Sequence, residues 1–410
     1  MAVPTVNAVI NFSTGPSFAQ AMILDQGILG TNILAAAAAV VVDVSDQINK
    51  IETRRGRNAI ADQFQTGTLS LRIVDQNGDF NPQNVSGPYY ELLTPMKKVQ
   101  ITATYLGVTY PIFSGFITSY VTTYPKEADS DVAYTTIQAV DAFNLANKAQ
   151  ISTVAGASAG NLSGTRINQI LDQISWPATM RDIDAGLTTM QADPGTTRTS
   201  LAALQTVTDS EYGAFYVDAT GNFVFQDRSV TVGSIAATPT LFSDNGAGIR
   251  YLDASWITND VLIFNKATIT ATGLTAQVAI NQPSIDKYFL HSYYLDNLLM
   301  QTDTVALDYA RAYVASRAET SVRCDSITLD LYTPDYSAGI IAALDLEFFD
   351  PITVITTQPG GSTLEKTLQI FGVQNVITPN SFKVLFTTLE PVIDGFIIGY
   401  SKLGTGVLSY

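Results

Sequence analysis

A chain of 410 residues with one cysteine, Cys324, and one histidine, His291, has little of the chemistry that many enzymes use. A single cysteine excludes an internal disulfide, and a single histidine excludes a multi-histidine metal site. A Cys-His catalytic pair would need these two distant residues to meet. Cys324 stands in Cys324-Asp325-Ser326-Ile327-Thr328-Leu329, a strand-like run in which a buried, inert thiol is expected. Charge is also scarce, at 14% of residues against about a quarter in an ordinary domain. Such a chain is expected to cover much of its surface against neighbours, as an assembly component does.

Long apolar runs are missing too. The longest, Ile33 to Val42 (ILAAAAAVVV), is about half of what a spanning helix requires. The start Met1-Ala2-Val3-Pro4 lacks a basic region and a cleavable apolar core. The expectation is a soluble protein made in a cytoplasm, with no stable membrane insertion. No basic stripe for phosphates is present: 37 acidic against 22 basic residues give a net charge of −15. Arg54-Arg55-Gly56-Arg57 is the densest basic cluster. An acidic chain repels DNA, which suits a passage that DNA must not stick to as well as it suits plain solubility.

Catalytic signatures are equally thin. Gly156-Ala157-Ser158-Ala159-Gly160 lacks the lysine of a phosphate loop and reads as linker. Ser114-Gly115 and Ser163-Gly164 lack the first glycine of a nucleophile elbow. Two carboxylate doublets, Asp182/Asp184 and Asp345/Glu347, could in principle serve glycoside hydrolysis. With 37 acidic residues, doublets of this kind also arise by chance. No residue is assigned to catalysis, to a cofactor or to a metal.

What the sequence does have is strand periodicity. Leu69, Leu71 and Ile73 alternate with Ser70 and Arg72, the period of two of a half-buried strand. After them comes Asp75-Gln76-Asn77-Gly78-Asp79-Phe80-Asn81-Pro82. Asp75, Asn77 and Asp79 are spaced like the first ligands of a calcium loop, but the sixth and twelfth places hold Phe80 and Ser86 instead of glycine and glutamate. Asn77-Gly78 is also the favoured dipeptide of a two-residue hairpin, in which both central residues take positive φ. The flanking alternation favours this structural turn at Asn77 and Gly78.

Further strands are expected over 99–105, 109–122 and 134–140, with a turn at Leu106-Gly107-Val108 and Asp141 capping a short helix. Residues 151–164 read as a linker or exposed loop. Helical spacing follows over 166–174 and 200–212, the second stopped by Gly213, and a hairpin over 214–225. The last third is strand-rich over 261–272, 325–332, 352–357, 367–377 and 381–388, with a helix over 304–317. The expected class is α+β, mainly β. The expected domains are 1–150 (β), 151–245 (an α+β insert) and 246–410 (β, with a helical insertion near 283–320). The two β-domains are candidates for structural duplicates.

An ordered set of fragments carries a resemblance. Arg54-Arg55-Gly56-Arg57, Phe64-Gln65-Thr66-Gly67-Thr68, the octapeptide 75–82, Pro88-Tyr89-Tyr90, the segments 110–116 and 138–143, Trp176-Pro177, Arg181 to Gly186 and the stretches 216–218 and 227–228 follow one another as in minor tail proteins of long non-contractile-tailed bacteriophages. Over residues 50–400 the chain resembles the tail-tip, or baseplate, hub of such phages. The resemblance implies a homotrimer in which each subunit carries two tail-tube-like β-barrels, so that three subunits meet a six-fold tube. It also implies location at the virion tail tip. The implied partners are a distal tail protein or tail-tube ring, the tape-measure protein and downstream tip or fibre proteins, with DNA only in transit. Two rivals remain. A receptor- or carbohydrate-binding tail module could stack sugars on Tyr288-Phe289 and Tyr293-Tyr294, and a tail-associated cell-wall hydrolase could use Asp182 or Glu347.

Overall fold

The computed structural model describes residues 2–13, 40–57, 63–125, 132–229, 238–319, 322–333 and 339–390. Most of the apolar run at 33–42 lies outside them.

The first part contains β1 (Thr5–Asn11), β2 (Val41–Asp43), β3 (Ile48–Gly56), β4 (Gln65–Val74), β5 (Lys98–Tyr105), β6 (Val108–Thr123) and β7 (Tyr134–Val140). Their formation follows the expected alternation: Leu69, Leu71 and Ile73 are buried on one face of β4, and Val99, Ile101 and Ala103 on one face of β5. Helix α1 (Ala142–Lys148) begins at Asp141, whose carboxylate accepts from Phe143 N, as expected of its cap.

The insert holds β8 (Gln150–Ile151), α2 (Ser163–Gln173), β9 (Arg181–Ile183), β10 (Arg198–Thr199), α3 (Ser200–Glu211), β11 (Ala214–Val217) and β12 (Phe223–Gln226). Residues 151–164, expected as a linker or exposed loop, are a mostly exposed loop up to Ser163, where α2 begins, and the loop is pinned to the insert. Val154 is in the core, Arg166 donates to Ser158 O at 2.9 Å, and Gly160 N donates to Met190 O. Helix α3 ends with Tyr212 at φ 59°, one residue before the expected stop. Gly213 is needed for a different reason: a Cβ there would lie 2.5 Å from Gln226 O.

The last part contains β13 (Thr240–Ser243), β14 (Asp253–Ile257), β15 (Lys266–Ala271), β16 (Gln277–Ile280), α4 (Gln282–Tyr288), β17 (Ser292–Leu298), α5 (Asp303–Arg317), β18 (Arg323–Asp330), α6 (Ile340–Asp345), β19 (Pro351–Thr357), β20 (Thr363–Thr378) and β21 (Ser381–Leu389). Strands β15 to β17 form a separate three-stranded sheet. Its apolar side and α5 build a second small core around Ile269, Tyr309 and Tyr313.

All the remaining strands of the first and last parts belong to one 13-stranded sheet, whose path runs β14-β18-β21-β20-β3-β4-β7-β6-β5-β1-β2, with β19 and β13 branching from β20. The path is open at both ends, so no closed barrel is present among the described residues, and the strands of the two expected β-domains run into one continuous sheet. The class is α+β, mainly β, as expected.

Two halves of this sheet repeat the same order. In the first it is β3-β4-β7-β6-β5-β1, and in the second β14-β18-β21-β20-β19-β13. The register repeats as well. The row Ile51–Leu71–Ile137–Tyr120 crosses β3, β4, β7 and β6. Its counterpart Ala254–Ile327–Phe386–Val373 crosses β14, β18, β21 and β20. Strands β6 and β20 are both 16 residues long, and each passes from one partner to the next through a bulge. The repeat is not perfect, since β1 pairs β5 antiparallel and β13 pairs β19 parallel.

The hairpin expected at Asn77-Gly78 is absent. Strand β4 has β3 and β7 as neighbours, so nothing folds back across that turn. The octapeptide instead opens a series of turns leading to β5. Gly78 N donates to Asp75 O at 3.2 Å, and Gly78 takes φ 68°. A two-residue hairpin with both central φ positive occurs at Leu106 (φ 50°) and Gly107 (φ 84°), between β5 and β6.

Candidate functional site: the seam between the halves

The halves meet where β3 of the first pairs antiparallel with β20 of the second, from Ile51 opposite Ile377 to Gly56 opposite Gly372. Alternation in β3 buries Ile51, Thr53 and Arg55 and exposes Glu52 and Arg54. Asn375 Nδ2 donates to Thr53 Oγ1 at 3.0 Å, so both buried polar groups are matched across the seam. Gly56, at φ 100°, ends β3. A Cβ there would stand 2.3 Å from Phe371 O, so the approach of the two backbones requires glycine.

Arg55 is 6% exposed and serves both halves. Its Nε donates to Ile112 O of β6 at 3.1 Å, and its terminal nitrogens donate to the two Glu347 oxygens at 3.1 and 2.9 Å. The guanidinium also lies 5.2 Å from the Phe348 ring centre. Arg57 stacks over Phe371 at 4.2 Å. Around these cations, Phe64 of the first part meets Tyr216 of the insert and Phe348 of the last part, both at 5.1 Å between ring centres. Burial, reinforced by the Glu347 carboxylate, drives the Tyr216 hydroxyl far above its usual range. Asp350, held by Glu347 N, is also raised, first by burial. Arg55, Gly56 and Arg57 of the basic cluster thus tie the two halves together.

The candidate catalytic groups are dispersed or already engaged. Glu347 is occupied by Arg55. Asp184 accepts from Asp227 N, and burial raises its pKa while that N–H opposes the rise and the Asp227 and Asp182 charges add to it. Cys324 sits in the large sheet, its thiol pushed up to about 12 by burial. His291 immediately precedes β17 of the small sheet, with Nε2 3.1 Å from Tyr288 O. Ser163 Oγ donates to the buried Glu211, which also receives Thr188 N, both at 2.7 Å. Glu211 has a role that sequence reasoning missed, because its partners lie 23 and 48 residues away.

Asn77 and Gly78 lie away from the seam. Asn84 Nδ2 donates to Gly78 O at 2.9 Å. The Asp75 carboxylate accepts from Asp79 N, Phe80 N and Thr135 Oγ1, which uses it as a loop anchor. Among the described residues no group of three or more His, Cys, Asp or Glu could hold a metal. The aromatic doublets divide: Tyr293 stacks on Tyr313 at 3.9 Å, while Phe289 and Tyr294 are 81% and 62% exposed. No helix among the described residues is long and apolar enough to cross a membrane.

No family profile matches the chain, and no curated protein sequence matches it either. Solved structures do. A tail protein from Neisseria meningitidis MC58 is similar with a TM-score of 0.57 and 10% identity, over 96% of this chain and 98% of that one. The 43 kDa tail protein of prophage MuSo2 from Shewanella oneidensis is similar with a TM-score of 0.51 and 14% identity, over 87% of this chain and 96% of that one. At such identities the likeness is one of architecture: the chain has the fold of these phage tail proteins.

Proposed function

We propose that the chain is the structural hub of a phage tail tip, a ring of three copies that joins the six-fold tail tube to a three-fold tip. The observation that carries this reading is the duplicated half-sheet. Three chains, each with two equivalent halves, offer six similar units to a six-fold partner. The rigid seam supports it, because Arg55, Gly56 and Phe64 fix one half against the other. In this reading the ring meets a distal tail protein or tube ring on one side and tip or fibre proteins on the other. It surrounds the end of the tape-measure protein, closes the tube and yields to DNA on infection. A net charge of −15 suits a passage that must not retain a polyanion. The chain acts without catalysis, by shape and contact.

The exposed Phe289 and Tyr294 favour one alternative, a receptor- or carbohydrate-binding module on the small sheet. Labelling the chain on intact virions separates the two. The hub reading expects one focus on the axis at the tail tip. Label along peripheral fibres would overturn it.

A further inference from the structure

We infer that β14 of one copy adds, antiparallel, to the second half of β6 in the next copy, repeating between chains the seam that β3 and β20 make within one. The inference deepens the ring reading and rests on it for the number of copies. It names the surfaces that touch.

Strands β3 and β14 are equivalent, as are β20 and β6. Strand β3 has a partner on each side, β4 and β20, whereas among the described residues β14 pairs only with β18. Strand β20 pairs β19 over its first half, then β3 on its second, with β21 opposite. Strand β6 pairs β5 over its first half and β7 over its second. Backbone bonds from Met96 and Lys97 reach Ile117. Beyond Ile117, no backbone bond among the described residues fills the place that β3 takes on β20. Each half therefore leaves open the one edge that its counterpart has satisfied, and the two open edges are complementary.

The register follows from the matched rows. Within the chain, Glu52 faces Val376 and Ile51 faces Ile377. Carried across the duplication, Ser255 faces Thr123 and Ala254 faces Tyr124. The side chains at these edges are those of an uncovered seam. Ile51 and Ile377 are buried, but Tyr124, the counterpart of Ile377, is 54% exposed, and Leu252 beside β14 is 44% exposed. Strand β14 has 5 residues against 9 in β3, so the contact between copies is shorter than the internal seam. An edge that meets a different edge makes a head-to-tail contact, which closes into a ring when the rotation allows. Edge strands left bare also invite unwanted pairing, so burying them in the ring removes that hazard.

Two exposed positions test this in the full chain: Thr123→Cys and Ser255→Cys. The native Cys324 is fully buried and leaves the background quiet. A short bismaleimide should link the double variant into a ladder that ends at three chains. Each single variant alone should stay unlinked, and an equal mixture of the two should give linked pairs. Light scattering without the reagent gives the native mass. A trimer that never links overturns the strand pairing and leaves the ring standing. A monomer that never links overturns both. Linking within a single-variant sample would mean a two-fold contact and would also overturn the pairing.

Discussion

Arg55 and Glu347, 292 residues apart in the chain, meet in a two-point ion pair that ties the first half of the sheet to the second. Arg55 is buried and Glu347 is 31% exposed, so removing the acid strands a cation that water reaches poorly. Breaking a buried pair from one side costs about 3–5 kcal/mol, and the exposure of Glu347 places this case at the low end. Glu347→Ala should therefore lower unfolding stability by about 3 kcal/mol. Arg55→Lys should fall between that variant and wild type, because lysine cannot reproduce the fork. Urea titration of the three proteins checks the order, and an Arg55→Lys variant as stable as wild type would contradict it.

Three glycines separate close approach from conformational freedom. Gly56→Ala meets Phe371 O at 2.3 Å and also strains a φ of 100°, so it should cost more than a single cap or turn and loosen the seam. Gly107→Ala takes a positive φ in open space and should cost about 1 kcal/mol. Gly78→Val sits at φ 68° with Asn84 Nδ2 3.4 Å from the new Cβ, and a branched side chain should cost about 1–3 kcal/mol there. Melting temperatures in the order Gly107→Ala, Gly78→Val, Gly56→Ala, highest first, are expected. A Gly56→Ala protein that melts with wild type would show that the seam yields easily.

The pH dependence of stability should carry a mark from Asp141. Burial raises its carboxyl from 3.8 to about 7, against the pull of the Gly67 and Phe143 N–H groups and the Arg55 charge. The folded state then binds this proton more tightly than the unfolded chain. Stability from this group is complete below about pH 4 and is lost as pH rises to about 7, after which it levels off. Asp141→Asn cannot titrate, so the drop in stability from pH 5 to pH 8 should be smaller in the variant than in wild type. Equal drops in the two proteins would assign the effect to other carboxyls.

Much of the fold was legible because it is written locally. Leu69, Leu71 and Ile73 announce β4, and Asp141 announces the start of α1, with no reference to distant residues. The seam was not legible, because Ile51 to Gly56 and Gly372 to Ile377 carry no sign of each other; their register is set by tertiary packing. The duplication was open to suspicion from order alone, but its residue rows emerge only from the pairing. The Asn77-Gly78 hairpin failed for a related reason. A turn dipeptide fixes a local bend, whereas a hairpin also needs the next strand to return beside the last, and here β5 joins another part of the sheet. Leu106 accepts the positive φ that propensity would have given to asparagine, because the pairing of β5 with β6 leaves it no other conformation. At the candidate site, Arg54 to Arg57 stood out as a cluster, but its partners Glu347, Phe348 and Phe371 could not be read from spacing.

The most direct test of the hub is the symmetry this chain obeys in the assembled tail, measured by cryo-electron microscopy of the tail tip. The account predicts three copies around the axis, each placing its two half-sheets at successive positions of a six-fold ring against the tube. Six copies using one half each, or copies on peripheral fibres with the small sheet turned outward, would contradict it.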